Sequence, residues 1–371
     1  FDFSRASSAT VVNQSGLIET VQSGTPRIDF EGNTKGALKL EPTRSNALLQ
    51  SNQFDTTWVI GASALNLTSG QSGIYGSNNA WLLKKNTSGA RFLQQTLSLS
   101  SAKYTYSVYL KAESTNFALI WTYNGSTDAE TYFDLANGVI GDSTGNNLNN
   151  AKIESVGNGW YRCTLTYTQS TTLVRIYPAY SNGNVSTGTD SGIYIQHAQL
   201  EVGSYPTSII PTSGSAVTRI GESSSQTVPD GVIGQTEGTV YADVNLSSIE
   251  SVGVYSGWKI DGTSGNQIAF IMYPTGRIQA TVFNGGSLVV NINDNNYGLT
   301  SGIHKIAFAY KQNDYILYVD GSVVGSNTSA TVPIVNDFDI SYLNAGSIKY
   351  NQTKLYNTRL SNAELASLTT I

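Results

Sequence analysis

Apolar and polar residues alternate with a period of two through one short run after another, and almost nowhere do they recur at helical spacing. Side chains of an extended chain point alternately to opposite faces, so each such run reads as a half-buried strand. In KYTYSVYLKA, Tyr104, Tyr106, Val108 and Leu110 share one face. In FALIWTYNG, Leu119, Trp121 and Tyr123 share one face while Ala118 and Ile120 share the other. GWYRCTLTYT and TLVRIYPAY continue the pattern, and clusters such as NGST, STGNNLNN and SNGNVSTGTDSG separate the runs with turn-forming residues. Strands in close succession without intervening helices predict stacked antiparallel sheets, not parallel βαβ units. Composition agrees: the chain has 22 Tyr and 36 Gly, and only 13% charged residues against about 25% in ordinary globular chains.

The 371 residues divide into four segments in this reading. Residues 1–47 form an extended lead-in, 48–212 a first sandwich, 213–231 a Ser-rich linker and 232–371 a second sandwich. The fold class is therefore all-β: two β-sandwich (jelly-roll) domains in tandem behind the lead-in, with one short C-terminal helix. The lead-in holds small apolar groups (Phe1, Phe3, Ile28, Phe30, Leu38, Leu40) that cannot form a core alone. It is expected to dock on the first sandwich or on an adjacent subunit. In the second sandwich, Gln312, Asn313 and Asp314 make one turn and Asp320-Gly321 a two-residue hairpin turn. The helix is signalled by LSNAELASL, where Ser361 and Glu364 have capping-box spacing and Leu360, Leu365 and Leu368 face the sandwich.

Charge narrows the partners. Twenty-one basic residues are scattered among 26 acidic ones, for a net charge of -5. Binding to a duplex needs clustered Lys and Arg, so nucleic acid is not an expected partner. No apolar run approaches the roughly 18 residues of a membrane span, so no membrane insertion is expected. One cysteine, Cys163, allows no intrachain disulfide.

Catalytic groups are sparse. Glycoside hydrolysis generally needs a pair of carboxylates across the scissile bond. There is no E-x-D-x-x-E run, and Asp337 with Asp339, at i and i+2, are the nearest pair. The two histidines, His197 and His304, are each alone in their segment, which offers no metal pair and no obvious base. Phosphate-binding loops are absent. The expectation is a protein that is not an enzyme. For a metal, structural Ca²⁺ is the fitting ion, because oxygen ligands abound in the loops. Glu41, before the first strand of the first sandwich, and Glu201, in its last strand, would meet if the jelly roll closes. The alternative pairs Glu41 with Arg44. NINDNN (291–296) is a second candidate.

Sugar sites combine aromatic faces with amide and charged groups. The candidates are Trp121, Tyr123, Arg175, Tyr177 and Tyr180 in the first sandwich, and Trp258 and Tyr297, with Tyr273, in the second. If Trp121 and Tyr177 face outward they form a platform. Both faces of the Trp121 strand are apolar, however, which favours a place for Trp121 in the core.

Two resemblances follow from longer motifs. FDFSRASSAT, NQSGLIE, TPRIDF, LKLEPTRSNALLQSNQFDTTW and the closing YIQHAQLEVGSYPTSIIPT resemble, in order and spacing, a module of bacteriophage tail and other virion proteins. That module is a carbohydrate-binding-module-like jelly roll. The resemblance implies host attachment, a virion location and homo-oligomers, with a trimer favoured. YILYVDGSVVG and IKYNQTKLYNTRLSNAELASL resemble the concanavalin A-like lectin or laminin-G-type sandwich. Together they lead to a virion (tail fibre, receptor-binding) protein that attaches to host cell-surface polysaccharide and to other virion proteins. The alternatives are a purely structural fibre or decoration protein and a polysaccharide depolymerase.

Overall fold

The computed structural model describes residues 2–61, 64–246, 256–343 and 346–371. The chain forms two compact units: residues 44–219, the inserted unit, and residues 1–43 with 220–371, the flanking unit. All regular structure is antiparallel strand, apart from a 3-10 turn at Ile74–Gly76 and the helix Asn362–Thr369. Among the described residues no helix is long and apolar enough to cross a membrane.

The inserted unit is built on two long strands, Phe92–Ala112 and Trp160–Ala179. Their pairing breaks register between Thr96 and Leu99 and again between Leu99 and Ala102. Such irregularities bend a strand, and here they let one pair of strands serve both layers. Beyond the bend on one side lie Phe117–Tyr123, Asp128–Asp134 and Val139–Thr144; on the other lie Ser191–Val202, Ala80–Lys85 and Leu65–Gln71. Between the layers the core gathers Tyr104, Tyr106, Val108 and Leu110 with Ala118, Ile120, Leu165 and Ile195. These are the residues that alternation assigns to the inward faces. Cys163 is buried among them.

The flanking unit is a sandwich of two seven-stranded sheets. The first runs Asp2–Ser4, Ser223–Thr227, Asp337–Tyr342, Ser256–Asp261, Gln267–Met272, Ile278–Asn284, Ser287–Asp294. The second runs Ser322–Asn327, Asp314–Val319, Gly302–Lys311, Glu237–Leu246, Ile348–Tyr356, Ala37–Leu40, Ile28–Asp29. Trp258, Phe270, Phe308 and Phe338 meet between them. The helix carries the capping box at Ser361 and Glu364. It lays Leu365 on Tyr241, Ala307, Ala309, Ile316 and Tyr318, with Leu360 and Leu368 beside it. Asp320 and Gly321 both have positive φ, 51° and 78°, as the expected tight turn requires.

Strand pairing redraws the expected segments. Of the expected lead-in, residues 44–47 join the first sandwich and residues 1–43 join the second. Asp2–Ser4 pairs with Ser223–Thr227, and Ala37–Leu40 pairs with Ile348–Tyr356, so residues 1–43 complete the second sandwich. The stretch 213–231, expected as a linker, supplies Val217–Arg219 to a ladder with Arg44–Asn46, and Ser223–Thr227 to a sheet. The reason lies in what these segments bury. Arg27 pairs with Glu41 at 2.9 Å and Glu222 at 2.7 Å, Lys349 with Asp29 at 2.6 Å, and Lys39 with Asp29 at 3.5 Å, all out of solvent. Arg5 donates to the carbonyls of Ser7 and Gln22 at 2.8 and 2.6 Å and pairs with Glu222 at 3.4 Å. Charges buried in pairs leave no hydrophobic period to read.

Candidate functional site

The outer face of the bent sheet in the inserted unit carries the strongest cluster. On Phe117–Tyr123 the odd-numbered side chains face outward, since Ala118 and Ile120 belong to the core. Residues directly opposite on antiparallel strands share a face. Trp121 is opposite Glu130 on one side and Arg175 on the other; Glu130 is opposite Thr144, and Arg175 is opposite Gln94. One row, Thr144–Glu130–Trp121–Arg175–Gln94, therefore crosses five strands. The next row holds Tyr132, Leu119 and Tyr177.

The row is tightly organised. The Arg175 guanidinium carbon lies 3.9 Å from the Phe92 ring centre and 4.5 Å from that of Trp121. Each such contact contributes about 0.5–2 kcal/mol, depending on desolvation. Arg175 Nε donates to Gln94 Oε1 at 3.0 Å and Nη1 to the Tyr177 hydroxyl at 3.1 Å. Its Nη2 group has no protein partner among the described residues. Trp121 stacks on Tyr123, with centroids 5.2 Å apart and planes 14° from parallel. The indole N–H donates to Asp128 Oδ2 at 3.3 Å, and the Tyr123 hydroxyl donates to the Gly125 carbonyl at 2.7 Å. Phe92 can lie over the neighbouring strand because Gly61 occupies the position opposite; a Cβ there would fall inside the Phe92 ring.

Electrostatically the face is one cation among acids. Burial raises the Glu130 carboxyl, against the bond it accepts from the Thr144 hydroxyl at 2.9 Å. Burial, with Glu130 and Tyr177 nearby, pushes the Tyr132 hydroxyl up to about 12. Leu119, Tyr132, Tyr177 and Ala179 are buried with Ala90, Phe117 and Val185 packed against them, while Trp121, Tyr123, Arg175, Gln94 and Glu130 stay partly accessible. The arrangement offers ring edges, a guanidinium and carboxylate and amide oxygens, which suit hydroxyl-bearing ligands.

Of the sequence candidates, Trp121, Tyr123, Arg175 and Tyr177 come together on this face. The expectation that favoured Trp121 in the core is corrected: its strand is apolar on both sides because the outer side carries a second, smaller cluster. Tyr180 stays outside the stack at the strand's end, 56% exposed, with its ring against Gly188. Trp258 is 1% exposed and enclosed by rings, so it meets no ligand; alternation turns Lys259 and Asp261 outward in its place. Tyr297 is no open platform either. It packs on the core, its hydroxyl donates to the Val319 carbonyl at 3.3 Å, and burial raises it to about 12. Phe92, Gln94, Glu130 and Tyr132 were missed, because their place depends on strand register.

The two carboxylates expected as a metal pair fall in different units. Glu41 belongs to the flanking unit and Glu201 to the inserted one. Glu41 takes Arg27 at 2.9 Å and the Ser347 hydroxyl at 3.2 Å. Glu201 takes Gln199 Nε2 at 2.6 Å, the Thr207 N–H at 3.0 Å and the Thr207 hydroxyl. Both carboxylates are occupied by protein donors, so they do not fit a calcium ion, and the described residues contain no cluster of three metal-ligating side chains. The histidines are separate. His197 is packed with its ring near Tyr109, and burial lowers it to about 4. His304 bridges Asp320 at 2.6 Å and the Thr300 carbonyl at 2.9 Å.

No known protein family matches the chain, and no curated protein does. Among solved structures it is similar to the CBM40 of the Ruminococcus gnavus IT-sialidase, at 14% identity over 37% of this chain and 84% of that one, with a TM-score of 0.31. It is similar to the Bacillus licheniformis β-glucanase at 16% identity over 38% and 73%, with a TM-score of 0.30. Sheep galectin-11 gives 17% over 36% and 96%, with a TM-score of 0.27.

Proposed function

We propose that the protein is a non-catalytic attachment component of a bacteriophage virion that holds host cell-surface polysaccharide on the Trp121–Arg175 face of its inserted unit. The observation that carries the reading is the fixed row Glu130–Trp121–Arg175–Gln94, in which hydrogen-bonding groups flank aromatic rings on an accessible sheet face. Asp128 and Glu130, opposite Tyr123 and Trp121, outnumber Arg175 there, which favours a neutral sugar over an anionic one. The virion setting, other virion proteins as partners and a homotrimeric assembly rest on the resemblance of the N-terminal motifs. A structural fibre or decoration protein is the second reading, and it has support of its own: Trp58, Trp81, Trp160 and Trp258 are all buried, and both neighbours of Trp121 are stacked against it.

The test is binding of the full chain to neutral polysaccharide fractions of candidate host envelopes, beside Trp121→Ala and Arg175→Ala. The reading expects saturable binding that both variants lose while remaining folded at the assay temperature, with midpoints lowered by the ring contacts they give up. Absence of binding to every fraction, or variants that bind as wild type, would leave the structural reading in its place.

A further inference from the structure

The helix covers the outer face of one sheet of the flanking unit, and the outer face of the other sheet carries a different kind of surface. Where Gln267–Met272 turns into Ile278–Asn284 and on to Ser287–Asp294, Met272, Ile278, Ala280 and Ile292 face the core. The residues between them, Tyr273, Arg277, Gln279, Asn291 and Asn293, therefore face outward. They are tied into one network. The Tyr273 hydroxyl and Arg277 Nη2 both donate to Gln279 Oε1, at 2.7 and 2.9 Å. Arg277 Nε donates to Asn293 Oδ1 at 2.7 Å, Gln279 Nε2 to Asn291 Oδ1 at 2.8 Å, and Asn293 Nδ2 to Asn295 Oδ1 at 3.3 Å. The guanidinium carbon lies 4.3 Å from the Tyr273 ring centre, which fixes its plane.

The network consumes acceptors and leaves donors over. A guanidinium has five N–H groups and no acceptor, and a side-chain amide has two N–H groups and one oxygen. The Gln279 oxygen is filled twice, and the oxygens of Asn291, Asn293 and Asn295 are each engaged once. Unspent are the Nη1 group and one Nη2 N–H of Arg277, the Nδ2 groups of Asn291 and Asn295 and one N–H each on Gln279 and Asn293, against one remaining lone pair on each of the three asparagine oxygens and the Tyr273 hydroxyl. No carboxylate belongs to the set: Asp294 lies on the opposite side of its strand, opposite Ile278, and accepts from the Asn296 N–H at 2.9 Å. Asn291 and Asn293 are exposed. A sugar hydroxyl brings a proton that needs an acceptor, and here free donors outnumber free acceptors and one donor group carries the charge. An oxyanion brings acceptors alone, and hydrogen bonds to it are charge-assisted and about twice as strong as neutral ones.

We infer that this patch is a second ligand site, distinct from the aromatic row of the inserted unit, and that it takes an oxyanion carried on a saccharide chain: the carboxylate of an acidic sugar or the phosphate of a sugar-phosphate polymer. Arg277 supplies the charge, Tyr273 and Gln279 hold its plane, and Asn291 and Asn293 add neutral donors beside it.

The experiment measures binding of the full chain to polygalacturonate, to poly(glycerol phosphate) and to dextran, at low and high salt. Wild type should bind at least one anionic polymer, with affinity that falls as salt rises. Polygalacturonate alone identifies a carboxylate, and poly(glycerol phosphate) alone a phosphate. Arg277→Gln should weaken that binding about tenfold, the effect of losing one charged hydrogen-bonding partner. Asn291→Asp, at an exposed position that leaves the fold intact, should weaken it at least as much by placing a carboxylate among the donors. Binding to neither anionic polymer, anionic binding that does not weaken as salt rises, or unchanged anionic affinity in folded Asn291→Asp would overturn the inference, whereas any dextran held on the aromatic row of the inserted unit should be unaffected by either substitution.

Discussion

Replacing Arg27 with Met tests whether buried charge, in place of apolar packing, holds the N-terminal strands in the flanking sandwich. Arg27 is fully buried and touches Glu41 at 2.9 Å and Glu222 at 2.7 Å. Met keeps much of the side-chain volume but leaves two buried carboxylates short of a partner. Breaking a buried ion pair from one side costs about 3–5 kcal/mol. A unit of roughly 200 residues shifts its midpoint by about 2–4 °C per kcal/mol, so a fall of roughly 6–20 °C is expected. Scanning calorimetry with fluorescence resolves the two units, because Trp258 is the one tryptophan in the flanking unit's sequence and the other four belong to the inserted unit. The low-temperature shift should appear in the Trp258 signal alone. A midpoint within about 2 °C of wild type, or an equal fall in both transitions, would refute the reasoning.

Three further outcomes are expected. Burial lowers His304, but its bonds to Asp320 and the Thr300 carbonyl outweigh that and leave it raised above 6.5. Its contribution is then fully present below pH 6.5 and lost as pH rises through the higher folded value. A pH series of unfolding midpoints should show this for the flanking unit, and Asp320→Asn, which removes two of the three influences that raise the histidine against burial, should remove the loss on the alkaline side. Gly61→Ala should drive Phe92 off Arg175 and weaken polysaccharide binding more than it lowers the inserted unit's midpoint, as titration and melting of one sample will tell. Leu365→Ala removes the residue by which the helix docks and should cost about 2–5 kcal/mol in denaturant titration, with an unchanged inserted unit.

Much of this fold was legible residue by residue. Period-two alternation placed Tyr104, Tyr106, Val108 and Leu110 in one core and separated Leu119, Trp121 and Tyr123 from Ala118 and Ile120. Ser361 and Glu364 marked the helix, and Asp320-Gly321 the turn. Partners were not legible. Nothing local to residues 1–43 says that their strands pair near Ser223 and Ile348, because backbone ladders carry no side-chain signature and the contacts that fix them are ionic. Register was equally hidden, so Glu130 and Gln94 could not be seen flanking Trp121 and Arg175. Trp258 failed as a site residue for a simpler cause: an aromatic near a turn is ambiguous until the facing sheet is known, and three phenylalanines close over it.

The pairing of Ala37–Leu40 with Ile348–Tyr356 has a consequence for how the chain is made. On a ribosome, residues 1–43 emerge well before the strands they must join, and the whole of the inserted unit is synthesised in between. That unit can close on itself while residues 1–43 wait with Arg5, Arg27 and Lys39 hydrated. Closing so long a loop carries an entropy penalty that grows only slowly with length, and a pre-folded insert shortens the effective span. The charges that end up paired out of solvent in the finished sandwich stay hydrated until then, so the closing step carries their desolvation cost.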